Sequence, residues 1–171
     1  MPLARTSRIH PLSLFVVALL LLAMLLGAHH LGHTRLNGLD ESFHALVARN
    51  LLKHPLTPTL IDQPFLPTDE SDWMNSHLWL HKPPLALWTI AASLKIFGIS
   101  ALALRLPSLL FSTGSAWLTY RIGVRLGERW AGAIAAALQA FNPAILMLVH
   151  GYVFSDHVDI ALIFWTELGV L

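Results

Sequence analysis

From Pro11 to Ala28 the chain carries no charged side chain; Pro11-Leu12-Ser13-Leu14-Phe15 leads through to Leu25-Leu26-Gly27-Ala28. No other feature limits the fold as much. The run is about long enough to cross a hydrocarbon core near 30 Å thick. A single apolar segment in lipid satisfies its own backbone only as a helix. Arg5 and Arg8 precede it, which places the N-terminus in the cytoplasm. A cleaved signal peptide is the alternative. The run is long for one, and Leu26-Gly27-Ala28 lacks a small residue at its first position. The sequence therefore predicts an uncleaved membrane helix over 11–30.

The remainder is consistent with a membrane chain. It is 55% hydrophobic and 12% charged, where a soluble domain carries about 25% charged residues. The class is an all-α, polytopic integral membrane protein. The absence of cysteine excludes disulfides and thiolate metal sites. A formal charge of +1 gives no basis for nucleic-acid binding. Ile160-Ala161-Leu162-Ile163-Phe164-Trp165 opens an apolar segment shortly before Leu171. This reads as the N-terminal part, 1–171, of one longer transmembrane domain.

Residues 32–82 are polar and broken by Pro55, Pro58, Pro64 and Pro67, as expected of an extracytoplasmic loop. Within it, Leu39 to Lys53 has helical spacing. Leu39, Phe43, Leu46, Val47 and Leu51 share a face; Asp40, His44, Arg49 and Lys53 lie off it. Asn37 is the expected N-cap. Such an amphipathic helix beside a membrane helix lies in the interface. Residues 55–80 are expected to be irregular, with Trp73 and Trp79 at headgroup level. Residues 83–98 are apolar but short and contain Lys95. Further spans are predicted over 103–121, 130–149 and 158–171.

Parity decides the topology. If 83–98 crossed the membrane, Arg121, Arg125 and Arg129 would lie outside, against the positive-inside tendency. An interfacial or re-entrant helix over 83–98 instead makes that cluster cytoplasmic. Asp40, Glu41, Lys82, Asp156 and Asp159 then share the outer face.

Several of these residues can carry chemistry. Paired carboxylates suit acid–base work because one can be ionised while its neighbour is not. Asp40 and Glu41 diverge by about 100° on a helix, so they do not share a proton. One would reach a substrate hydroxyl or amine, the other hold the loop or a cation. Local spacing by itself favours a solvated first turn, where acids suit the helix N-terminus. Lys82 is held extended by Pro83 and Pro84 just before a helix. A fixed ammonium at the membrane rim suits a lipid phosphate; a snorkelling anchor is the equal alternative. Asp156 follows Ser155 in a capping position, and Asp159 would lie one turn inside an apolar run, where burial is costly. His29, His30 and His33 have helix-compatible spacing, but a helix end is a natural place for polar residues. His44, one turn after Asp40, and His81, beside Lys82, are better placed for an active-site cation. Solvated or supporting imidazoles are the alternative there. No metal ligands are assigned, and a divalent metal stays open.

Taken in order, Asp40-Glu41 heading an amphipathic helix, Lys82-Pro83-Pro84-Leu85 with Trp88, Ile96-Phe97-Gly98, Arg105-Leu106-Pro107-Ser108 and Asp156 resemble the N-terminal part of the GT-C glycosyltransferases. The similarity is to the protein O-mannosyltransferase and aminoarabinose transferase group. The resemblance implies a multi-pass enzyme of the inner or plasma membrane with an extracytoplasmic active face. Such enzymes transfer a sugar from a polyprenyl-phosphate carrier to a protein, lipid or glycan, as in protein glycosylation or lipid A modification. It implies Asp40 as the catalytic carboxylate that activates the acceptor, Asp156 as the second important acid and Lys82 as the contact to the carrier phosphate. Glu41, His81 and His44 are the expected supporting substrate-binding residues. Relatives often carry a basic residue three positions after the first acid, where this chain has Phe43, and an acid before the lysine, where it has His81. They are also several times longer, so this piece alone is not expected to be active. The alternatives are a non-catalytic membrane protein and a transporter fragment in which Asp159 lines a polar pathway.

Overall fold

A computed structural model describes residues 10–69, 71–72, 74–153 and 158–171. Among those residues the regular elements are helices, with no named strand: α1 Pro11–Ala28, α2 Asp40–Leu51, α3 Pro84–Phe97, α4 Ala101–Arg125, α5 Arg129–Ala140, α6 Pro143–Val149 and α7 Asp159–Val170.

Pro11 occupies the first turn of α1, and the His10 ring accepts the Leu12 N–H at 3.2 Å. A stripe of Leu12, Val16, Leu20, Ala23 and Gly27 is buried, while Phe15, Leu22 and Leu25 face outward. The helix stops at Ala28 because His29 turns extended and His30 takes a positive φ of 57°. This ends it two residues before the predicted boundary and removes the helical spacing of His29, His30 and His33. By length and composition, α1 is the one described unbroken helix able to cross a membrane. The 25-residue α4 is longer but carries Arg105, Arg121 and Arg125.

The buried stripe of α1 runs antiparallel to α4. The Ser13 and Tyr120 hydroxyls bond at 3.0 Å. Nearer the other end, a Cβ on Gly27 would come within 2.8 Å of Leu109, and one on Gly32 within 3.7 Å of Leu102. Helices α4 and α5 form a tight hairpin in which a Cβ on Gly123 would fall 2.4 Å from the Gly132 Cα. Helix α7 runs parallel to α4, with Phe164 against Gly114 and 5.1 Å from Phe111.

The predicted span 130–149 is not continuous. It breaks at Asn142-Pro143 into α5 and α6, bent by 49°. Pro143 has no N–H to continue the ladder, and the Asn142 carboxamide accepts the Ala144 N–H at 2.9 Å to start a new helix.

Helices α2 and α3 do not join this bundle side by side. They pack on the first turns of α4 through Val47, Leu51, Leu87, Ile90, Leu94 and Leu104. Helix α2 starts at Asp40, and Leu39 stands at its N-cap position without a side-chain bond. Asn37 is therefore not the cap. Its carboxamide accepts the Leu39 N–H at 3.3 Å, and its own N–H goes to Glu41.

The loop after α2 is irregular but anchored. Buried Asn50 donates to the carbonyls of Thr59 and Leu60 at 2.9 and 3.1 Å. Leu60 and Trp79 N–H groups bond to His77 and Pro58 carbonyls across the loop. Trp79 is 1% exposed and belongs to the core, not to a headgroup layer; its ring stacks on Phe43 at 5.5 Å. Trp73 lies outside the described residues. At the surface, Asp62 accepts from Lys53 at 2.5 Å and pairs with His54 at 2.8 Å. These bonds, Lys53 first, hold its carboxyl below the usual aspartate value.

This arrangement gathers the C-terminal ends of α1 and α6, the N-terminal ends of α4 and α7, and α2 at one end of the bundle. Arg121, Arg125 and Arg129 lie at the opposite end.

Candidate active site

The gathered end is organised by one buried ion pair. Arg105 sits in the second turn of α4 and Glu41 in the first turn of α2. Their side chains are 0% and 2% exposed. Arg105 Nε donates to Glu41 Oε1 at 2.6 Å and Nη2 to Oε2 at 3.2 Å. The remaining guanidinium hydrogens go to the carbonyls of Leu31, His33 and Arg35 at 2.8–3.0 Å. All five N–H donors are thus used. Glu41 Oε2 also accepts the Asn37 N–H at 2.7 Å. A guanidinium enclosed this way is tolerable because its charge is paired and every hydrogen is bonded.

Gly151 closes the far side. Its φ is 66°, and a Cβ there would stand 2.3 Å from Glu41 Oε1. Only glycine lets the backbone approach this closely in that conformation. His33 Nε2 bonds to the His150 carbonyl at 2.9 Å and His150 Nε2 to the His29 carbonyl at 3.0 Å. The segment 150–153 is thereby tied to the loop after α1. Tyr152 stacks on His33 at 4.9 Å. A cleft of about 500 Å³ opens between the two segments, lined by Arg35, Asn37, Gly38, Gly151 and Tyr152.

Asp40 is the first residue of α2 and half-buried. One helical position from Glu41, it points about 100° away, and no hydrogen bond of its carboxylate is found among the described residues. The adjacent acids therefore differ sharply in engagement. His44 is fully buried, with its ring edge-on to Trp79 at 5.9 Å. His81 is exposed, with its ring 5.6 Å from the same indole. Lys82 is half-buried, Pro83 is extended at ψ 137°, and Pro84 opens α3. Trp79 therefore links the segment before Lys82 to the first turns of α2. Asp156 lies outside the described residues. On either side of it, Gly151 touches Glu41 and Val158 packs on the α2–α3 core. Asp159 does not lie one turn inside an apolar run; it is the exposed first residue of α7. Among the described residues no group of three His, Asp or Glu side chains is placed to hold a metal ion.

Arg105 and Gly151 are the site residues that the sequence reading did not assign. A signal for the first was present: an arginine inside an apolar stretch demands an anionic partner, and Glu41 was available. Gly151 carries no such mark, because its close approach exists only in three dimensions.

No solved structure matches the chain. It is similar to a protein of Aquifex aeolicus (strain VF5) described as uncharacterized, with 31% identity over 120 residues, which is 69% of this chain and 20% of that one. The chain thus spans about a fifth of that relative. Residues 81–170 match the family model described as dolichyl-phosphate-mannose-protein mannosyltransferase. That match includes Lys82, Arg105, Gly151 and Asp156 and begins after Asp40 and Glu41. The chain belongs to the dolichyl-phosphate-mannose-protein mannosyltransferase family.

Proposed function

We propose that the protein to which this chain contributes transfers a glycosyl group from a polyprenyl-phosphate-linked sugar to a protein, lipid or glycan, at the extracytoplasmic face of the membrane. The observation that carries this reading is the division of labour between adjacent acids. Glu41 is consumed by Arg105, Asn37 and the close backbone of Gly151. Asp40, on the next position of a helix held rigid by that network, is left facing another direction.

In the reaction, Asp40 accepts the proton of the acceptor nucleophile as its new bond to the anomeric carbon forms. The bond from that carbon to the phosphate oxygen breaks, and the carrier phosphate leaves with the electron pair. A phosphate is stable as an anion, so the site needs a base and positive charge rather than a strong acid. Lys82, placed immediately before Pro83 and Pro84 at the start of α3, supplies that charge. Asp156 is the second acid of the site. Glu41 acts through the backbone it positions. The opposite end of the bundle, with Arg121, Arg125 and Arg129, faces the cytoplasm.

Membranes containing the full-length protein should pass label from a polyprenyl-phosphate-linked sugar to an acceptor fraction, and should not do so from a nucleotide sugar. Transfer from the nucleotide sugar alone would overturn this reading.

A further inference from the structure

Two spaces of opposite character meet along the loop between α1 and α2. Arg105 binds the carbonyls of Leu31, His33 and Arg35, three alternate residues, and so pins this stretch of chain. The side chains alternate as well. His33, Arg35 and Asn37 line the polar cleft described above. Gly32 and Thr34 line a second space, a groove of about 340 Å³. Leu36 lines both, so the two adjoin across its side chain.

The groove is apolar. Leu94 of α3, Ile99, and Leu102 and Leu104 of α4 form its far wall, and none of its lining side chains is charged. Ile99 and Leu102 are 69% and 48% exposed. The cleft is lined by one charged side chain, that of Arg35. This guanidinium is exposed and makes no ion pair among the described residues.

The level of the groove matters too. It begins at Gly32, four residues after the uncharged run of α1 ends at Ala28. With α1 across the bilayer, hydrocarbon gives way to head groups at that level. An apolar groove beside a cationic cleft there is complementary to an amphiphile with an anionic head.

We propose that groove and cleft together hold one membrane phospholipid with an anionic head group. Its phosphate pairs with the Arg35 guanidinium, whose planar fork suits phosphate oxygens. One acyl chain crosses Leu36 and lies along Leu94, Ile99 and Leu102. Arg105 already holds the loop in place, so binding costs little ordering of the backbone. Neither Asp40 nor Lys82 lines either space. The lipid site therefore stands apart from the residues assigned to sugar transfer and does not depend on that reaction.

Thermal melting of the full-length protein in a neutral detergent tests this. Phosphatidylglycerol should raise the melting temperature saturably. Phosphatidylcholine, without net charge, and glycerol 1-phosphate, without acyl chains, should not. Arg35→Gln keeps the backbone carbonyl on Arg105 and should raise the half-saturating phosphatidylglycerol concentration about ten- to a hundredfold. Ile99→Asp, which puts a carboxylate in the groove, should weaken the response as well, and Lys82→Gln should leave it unchanged. An equal gain from phosphatidylcholine or from glycerol 1-phosphate would overturn the proposal, as would a phosphatidylglycerol response unaltered in Arg35→Gln. A response to a polyprenyl phosphate that Arg35→Gln abolishes, with none to phosphatidylglycerol, would give the site to the sugar carrier and equally overturn it.

Discussion

Arg105 Nε lies 2.6 Å from Glu41 Oε1, inside a pair of side chains almost wholly removed from solvent. Through this contact a residue of α4 fixes the first turn of α2 and, by its other hydrogens, three carbonyls of the loop between α1 and α2. The role proposed for Asp40 depends on that rigidity.

Breaking the pair should therefore be costly. Removing one partner of a buried ion pair typically destabilises by about 3–5 kcal/mol. Glu41→Ala and Arg105→Ala should each lower thermal stability in detergent or nanodiscs by an amount in that range. The double variant should lose clearly less than the sum of the two. Additive losses would show that the residues are not coupled.

Gly151→Ala tests the close approach of its backbone to the Glu41 carboxylate. A non-glycine residue at positive φ costs roughly 1–3 kcal/mol. The displaced carboxylate adds to this, since the new Cβ would stand 2.3 Å from Oε1. The loss should be smaller in a Glu41→Ala background, where only the backbone strain is left. Equal losses in both backgrounds would remove Gly151 from the ion-pair network.

Orientation can be tested at both ends of the bundle. A cysteine in place of Arg125 should react with a membrane-impermeant maleimide from the cytoplasmic side only. One in place of Leu56, which is 87% exposed in the loop after α2, should react from the outside only. Labelling of both from the same side would contradict the assigned topology.

The sequence shows the helices better than their junctions. The uncharged run of α1 and the amphipathic pattern after Leu39 mark their helices because periodicity is local. The break at Asn142-Pro143 inside the span predicted over 130–149 is masked by the apolar run around it. Trp79 was misplaced because an indole suits both a membrane interface and a core, and only the packing of Phe43 and His44 decides between them. Asn37 has the spacing of a cap but serves Glu41 through its backbone N–H. At the candidate site, the residue types were legible and their partners were not. The Glu41–Arg105 pair spans 64 positions, and no local pattern reports a contact of that separation.

The most direct measurement is the rate of sugar transfer per folded protein for Asp40→Asn, taken with its thermal melt. A general base contributes about 10²- to 10⁴-fold. Asp40→Asn should lose transfer by that order while melting as the wild type does, because the Glu41–Arg105 pair is untouched. Wild-type transfer by folded Asp40→Asn would contradict the central assignment.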